Sequence, residues 1–241
     1  MTAAEMKDLF LILYDKITNL AAPGYTDNEI SDFLNKAQLQ FVKHRYSEKG
    51  NKYQEGFEET EKRRKDLAQL TRNLEATISV DQTGVSPNGY FYDLPKGYMY
   101  SLREEATLSS SDDCFDGKRI YVKPITHDEY AINLLNPFKK PDKTVVWRLD
   151  YSNTNPSTST TGTKRHELVT DGTYTIGTYH IRYLNSPSDI VIDDTDPLNN
   201  VDSELDPSVH EEVVDIAVRI AAGITDPGTY QIKLKEQLEG E

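Results

Sequence analysis

The sequence predicts an α+β fold in which N- and C-terminal helices form a helical bundle with an inserted antiparallel β-rich lobe. Three observations carry this reading. Apolar residues recur at three- and four-residue spacing in the first part of the chain, the period shifts toward two from about residue 76, and a capped helical stripe returns after residue 206. The predicted divisions are residues 1–76 for the N-terminal helices, 77–200 for the β-rich lobe and 201–241 for a C-terminal helix and tail completing the bundle.

In the first helix, Met6, Leu9, Phe10, Leu13, Ile17 and Leu20 make one apolar stripe, which Pro23-Gly24 ends. The second opens with a T-x-x-E capping box, Thr26 and Glu29, and Tyr25 before the cap is placed to staple onto Ile30. Ile30, Phe33, Leu34, Ala37 and Phe41 then line one face. Gly50 and Asn51 break the chain before a third helix, predicted from about Tyr53 to Glu75, with Phe57, Leu67, Leu70 and Leu74 as apolar anchors. Glu58–Lys62, Glu59–Arg63 and Glu61–Lys65 are i,i+4 pairs with the acid first, the better orientation. A solvated face held by ion pairs is the plain reading of this stretch. Lys62, Arg63, Arg64 and Lys65 are also its candidates for a subunit-interface or DNA-facing role.

Strands follow at Thr77–Val80, Tyr90–Tyr92, Tyr98–Leu102, Arg119–Lys123, Thr144–Tyr151, His166–Val169 and Tyr174–Leu184, with Pro87-Asn88-Gly89 as a turn. A second box, Thr126 and Glu129, opens a short helix through Tyr130 and Leu134 that ends before Pro137. Residues 152–163 hold only Ser, Asn, Thr, Pro and Gly and read as the long tip of a hairpin. Ser188–Asp206 reads as an acidic loop. Asp206 then caps a helix with Pro207 at its first position, Val209, Val213, Ile216, Ala217 and Ile220 as its stripe, and Gly223 as its stop. Tyr230, Leu234 and Leu238 suggest a short final helix or tail.

Hydrophobic residues make up 37% of the 241 residues and charged ones 28%, a balance suited either to an elongated shape or to a subunit that hides surface only on assembly. The 15 tyrosines suit either strands or protein–protein contacts. A net charge of -13 opposes nucleic-acid binding through phosphates, which needs clustered Lys and Arg. The single cysteine, Cys114, excludes an internal disulfide. The first apolar run is interrupted by Glu5, Lys7, Asp8 and Asp15, so no signal peptide is expected, and no run approaches the length of a membrane span.

Chemistry-bearing motifs are absent. None of the five histidines has metal-ligand spacing, and His210-Glu211-Glu212 lacks the second histidine of an H-E-x-x-H site. His127-Asp128-Glu129 fits a capped first helical turn. Cys114 lies among Asp112, Asp113 and Asp116, which disfavour a thiolate. Gly162-Thr163-Lys164 lacks the rest of a P-loop, and the acids around Asp193, Asp194 and Asp196 lack the glycine and terminal glutamate of an EF-hand. No enzyme activity, cofactor or metal is expected.

Four segments in order carry a resemblance: Glu29–Ala37 (EISDFLNKA), Tyr92–Tyr98 (YDLPKGY), Tyr179–Pro187 (YHIRYLNSP) and Leu205–Val218 (LDPSVHEEVVDIAV). With the helix–strand–helix layout, they resemble the head-to-tail adaptor, or ring and tail-tubular, proteins of short-tailed bacteriophages, particularly crAss-like phages. The resemblance implies a structural virion protein in a dodecameric ring at the portal–tail junction, assembled in the host cytoplasm. Its implied partners are the portal protein and other ring or tail proteins. Genomic DNA would pass through its channel without specific binding. The family's C-terminal segment reaches toward the portal, a role that falls here on Tyr230, Leu234 and Leu238. Two readings compete: a tail-associated carbohydrate-binding module using tyrosines and Trp147, and a carboxylate-dependent hydrolase with paired acids in a cleft.

Overall fold

The computed structural model describes residues 1–18, 24–47, 60–76, 84, 86–110, 114–153 and 163–225. These form α1 (Ala3–Thr18), α2 (Asp27–Tyr46), α3 (Glu61–Leu67), β1 (Thr71–Ala76), β2 (Gly89–Asp93), β3 (Tyr98–Ser109), β4 (Arg119–Pro124), α4 (His127–Leu135), β5 (Val145–Asn153), β6 (Thr163–Val169), β7 (Thr175–Asn185) and α5 (His210–Thr225). The fold is α+β. The chain divides into a helical unit, Met1–Leu70 with Ser186–Glu241, and a sheet unit, Thr71–Asn185.

In the helical unit, α1 starts earlier than its apolar stripe suggests because Thr2 and Glu5 form another capping box. The Thr2 N–H donates to the Glu5 carboxylate at 2.8 Å, and the Glu5 N–H to the Thr2 hydroxyl at 3.3 Å. At α2, the Thr26 N–H and hydroxyl both donate to the Glu29 carboxylate at 2.8 Å, which holds that carboxyl below its usual range. Tyr25 joins an aromatic cluster, with ring centroids 5.1 Å from Tyr14, 5.1 Å from Phe33 and 6.4 Å from Phe10. α5 follows a 3-10 turn, Pro207–Val209, capped by Asp206, and packs on α1 and α2. Its buried stripe is Val213, Val214, Ala217, Val218 and Ala221. Gly223 does not stop it; the helix runs on to Thr225.

Between β7 and α5 the chain lies extended along α2 and bonds to one polar stripe of it. Gln38 Nε2 donates to the Ser188 carbonyl at 2.9 Å. Asn35 brackets Ile190, accepting from its N–H at 2.7 Å and donating to its carbonyl at 3.0 Å. Ser31 Oγ accepts from the Ile192 N–H at 3.1 Å, and Asp27 from the Asp194 N–H at 3.3 Å. The match is geometric. Two extended residues advance about 6.6 Å and four helical residues about 6 Å, so alternate residues of one meet successive turns of the other. Lys7 closes the far end, 2.6 Å from Asp27 and paired with Asp194.

Arg45 ties three helices together. Its Nε lies 3.3 Å from Asp66 of α3 and its Nη2 pairs with Glu212 of α5. Burial pushes the Asp66 carboxyl up, against the pull of Arg45.

The third predicted helix is corrected in part. α3 and a 3-10 turn, Ala68–Leu70, are followed by strand, not helix. Residues 71–76 pair with β7 from Thr71↔Leu184 to Ala76↔Tyr179, and this backbone pairing overrides the local helical pattern. The predicted strand at 77–80, the tip at 154–162 and the tail from 226 lie outside the described residues.

The sheet order is β1-β7-β3-β4-β5-β6-β2. It is mixed rather than antiparallel throughout: β4 and β5 run parallel, from Tyr121↔Val145 to Pro124↔Arg148. The reason is α4, which carries the chain across between them; parallel neighbours need such a crossover. β2 pairs with β6, so the turn at Pro87–Gly89, with Asn88 at φ 59°, does not close a hairpin with an adjacent described strand. β5 and β6 do form a hairpin, closed by Asn153↔Thr163.

Alternation sorts the faces. Tyr92, Ala106, Leu108, Ile120, Val122, Val146, Leu168, Ile176 and Ile181 share the main core. Trp147, Leu149 and Val169 form a second core on the other face, with Tyr130 of α4 packed on it. At least six tyrosines are buried: Tyr14, Tyr92, Tyr98, Tyr174, Tyr179 and Tyr183.

Two outcomes are expected in solution. Asn35→Ala leaves both polar groups of the buried Ile190 peptide unpaired and costs about 2–3 kcal/mol in urea titration, while Lys36→Ala, exposed one residue on, stays within about 0.5 kcal/mol. The Asp27 carboxyl is held below its ordinary 3.8 by the hydrogen bond from Lys7. Its folded pKa is the lower one, so its contribution is complete above the unfolded pKa and is lost as pH falls through the folded value. Denaturation midpoints measured below about pH 4 therefore fall less steeply for Asp27→Asn than for the parent chain.

Candidate functional site

The cluster that most resembles catalytic machinery is a ring of polar side chains on the core face of β3, β5, β6 and β7. Tyr179 donates to Glu104 Oε2 at 2.7 Å, and Glu104 Oε1 accepts from Arg148 Nη1 at 2.6 Å. Arg148 Nη2 lies 3.5 Å from Asp150, whose other oxygen is 3.1 Å from His166 Nε2. His166 Nδ1 returns to the Tyr179 hydroxyl at 2.9 Å. Each group comes from an inward position of its strand, and all but Asp150 are buried. Burial, then Glu104, raises the Tyr179 phenol well above its ordinary value, so it acts as a neutral donor. Contact with His166 holds the Asp150 carboxyl below its usual range. These groups serve one another across four strands.

A second buried acid fixes a turn. Glu167 accepts from the Ser86 N–H at 2.6 Å and from its hydroxyl at 3.2 Å. A Cβ at Gly84 or Gly89 would stand 2.2 or 2.3 Å from Glu167 Oε1, so the turn closes around this carboxylate only with glycine at both positions.

The outer face of β1, β7, β3 and β4 carries a shallow cavity of about 250 Å³ lined by Glu75, Arg103, Glu105, Arg119, His180 and Arg182. Glu105 bridges Arg103 Nε at 3.0 Å and Arg119 Nη1 at 3.4 Å. Arg103 above all holds the Glu105 carboxyl below its usual range, the opposite of what a general acid needs.

Among the described residues, no group of three or more His, Cys, Asp or Glu could hold a metal ion, and no helix is long and apolar enough to cross a membrane. The loop acids have other work: Asp193 accepts from the Thr195 and Asp196 N–H groups at 2.9 and 3.1 Å, Asp196 from the Leu198 N–H at 3.2 Å, and Asp194 pairs with Lys7. His127-Asp128-Glu129 forms the first turn of α4, with Thr126 Oγ1 accepting from the Glu129 N–H at 3.3 Å. Trp147 is buried against Tyr130, so its ring offers no sugar-stacking face.

Of the interface candidates, Lys62 and Arg64 are exposed, Lys62 lying 3.6 Å from Glu212. Arg63 is buried within the helical unit. Tyr230, Leu234 and Leu238 lie outside the described residues. Sequence reasoning passed over a different surface. Ile132, Leu135 and Phe138, at the end of α4 and just beyond it, are exposed, and so is Leu198 in the acidic loop. The three-residue spacing of Ile132, Leu135 and Phe138 was the available signal, masked because a helix between strands is expected to bury its apolar residues.

The family described as phage tail ring protein 3/4 matches residues 1–229. Ring protein 4/5 of Bacteroides phage crAss001 is 27% identical over 251 aligned positions, covering 99% of this chain and 98% of that protein. Ring protein 3 of the same phage is 29% identical over 230 positions, covering 92% and 95%.

The buried ion pair provides a test of the polar ring. Glu104→Met takes away the buried partner of Arg148, leaving it only the Asp150 carboxylate at 3.5 Å, and costs about 3 kcal/mol, whereas Glu104→Met with Arg148→Met recovers most of the loss, as read by a double-mutant cycle of unfolding free energies.

Proposed function

We propose, from the chain's membership of the phage tail ring protein 3/4 family, that it is a structural virion protein, one subunit of a ring in the phage tail. The observation that carries this is the extent of the match: it runs through every described helix and strand. The ring is a dodecamer at the portal–tail junction, assembled in the host cytoplasm. It binds the portal protein on one side and further ring or tail proteins on the other. The terminal helices form a bundle that makes the ring body, and the β-rich lobe faces tail components. Lys62 and Arg64 on α3 contact neighbouring subunits, and Tyr230, Leu234 and Leu238 reach toward the portal. DNA passes through the channel without specific contacts; a net charge of -13 on each copy favours a lumen that repels phosphates. The role is architectural, not catalytic.

Native mass spectrometry of the purified chain, alone and mixed with its portal ring, tests this directly. The expected result is a complex carrying twelve added copies. A stable two-subunit particle closed by one two-fold face, with nothing added to the portal, counts against it.

A further inference from the structure

Two exposed apolar surfaces in the described residues differ in charge. At the end of α4, Ile132 is 69%, Leu135 84% and Phe138 98% exposed, and Lys139 and Lys140 follow at once, also exposed. The turn beyond the helix is ordered: Asn136 Oδ1 accepts from the Phe138 N–H at 3.0 Å, and the Asn136 carbonyl from the Lys139 N–H at 3.1 Å. Nearby Asp142 is engaged in its own turn, accepting from Thr144 and Val145. The acids of α4, Asp128 and Glu129, sit in its first turn, away from the Leu135–Lys140 end.

The second surface is the loop closed by the Val191↔Val201 bridge. Leu198 at its apex is 94% exposed, and Val191 and Val201 are partly so. Asp193, Asp194 and Asp196 precede it in the loop. Neutral donors order this loop without cancelling its charge: the Asp193 N–H bonds to Asn200 at 2.7 Å and the Leu198 N–H to Asp196 at 3.2 Å. Asp194 alone of the three is paired with a cation in the structure described, Lys7.

We propose that the Leu135–Phe138 end of α4, with Lys139 and Lys140, docks on the acidic Leu198 loop of a second copy of this chain. The inference rests on the ring reading and names its subunit contact. Charge decides the pairing. Each surface against itself sets lysine on lysine or aspartate on aspartate, while one against the other joins apolar to apolar and opposite to opposite. A contact between two different faces is heterologous, the kind that propagates from copy to copy and closes into a ring. Both faces are held by their own hydrogen bonds before contact, which lowers the ordering cost. A large aromatic entering a neighbour's apolar surface is the usual centre of an interface of about 800 Å² per partner.

The test uses the full chain carrying Cys114→Ser, with Phe138→Cys, Leu198→Cys or both, in assembly mixtures with the phage's own portal and tail proteins. A short bismaleimide crosslinker is added, and electron microscopy of the parent chain scores ring formation. A dimer on mixing the two single-site variants, none from either alone, and a ladder up to the full ring from the double variant support the contact. Phe138→Ser and Leu198→Ser then each weaken subunit association at least about tenfold, with unchanged melting temperatures. Rings in the parent with no crosslink, crosslinks confined to a dimer, or crosslinks only to another tail protein overturn the contact and leave the ring reading standing. No ring from the parent in any mixture overturns both.

Discussion

The helical unit depends on one match of periods, between the turns of α2 and the alternate residues of the chain returning from the sheet. Asp27, Ser31, Asn35 and Gln38 follow one another at spacings of four, four and three, and meet residues 194, 192, 190 and 188 in reverse order. A segment with no strand or helix partner must satisfy its buried peptide groups somewhere, and α2 supplies the partners. Ile190 and Ile192 are thereby held in the core. The same clamp sets where α5 begins, so that its apolar stripe meets α1 and α2. It also anchors the base of the Leu198 loop.

The sheet unit solves a different problem. Seven strands with one parallel pair leave strongly polar side chains pointing into a core, and the sheet accommodates them by letting them serve one another. Glu104, Arg148, His166 and Tyr179 each come from a different strand, so the ring they make locks strand register as well as neutralising charge. On the opposite face Tyr130 over Trp147 fastens the start of α4. The second half of the helix buries Asn133 but leaves Ile132 and Leu135 uncovered, and Phe138 just beyond it is uncovered too.

Assembly is the common thread. A subunit that forms a ring needs rigid, dissimilar faces more than it needs a cleft, and the chain's hydrogen bonding is organised to give rigid loops. Of the acids that looked like a possible ion site, Asp193 and Asp196 cap turns and Asp194 pairs with Lys7, and Glu105 of the outer cavity is paired with arginines. With a net charge of -13, copies of the chain repel one another over most approaches, and a contact between them has to bring unlike charges together.

The sequence by itself determined the α+β class, the capping box at Thr26 and the N-cap at Thr126, the start of the last helix at Asp206-Pro207, the hairpin joining β5 and β6, and the family. All of these are local: a cap, a proline or a period of two acts within a few residues, and the family is read from ordered short segments. Tertiary structure decided the rest. Thr71–Ala76 is too charged to announce a strand and becomes one because β7 offers its edge. The parallel pairing of β4 and β5, the burial of Arg63 among three neighbouring cations, and the closure of the Glu104–Arg148–Asp150–His166–Tyr179 ring all join residues far apart in sequence. The exposed end of α4 belongs with them, since whether an apolar residue is covered depends on what the rest of the chain places over it. No local pattern encodes that.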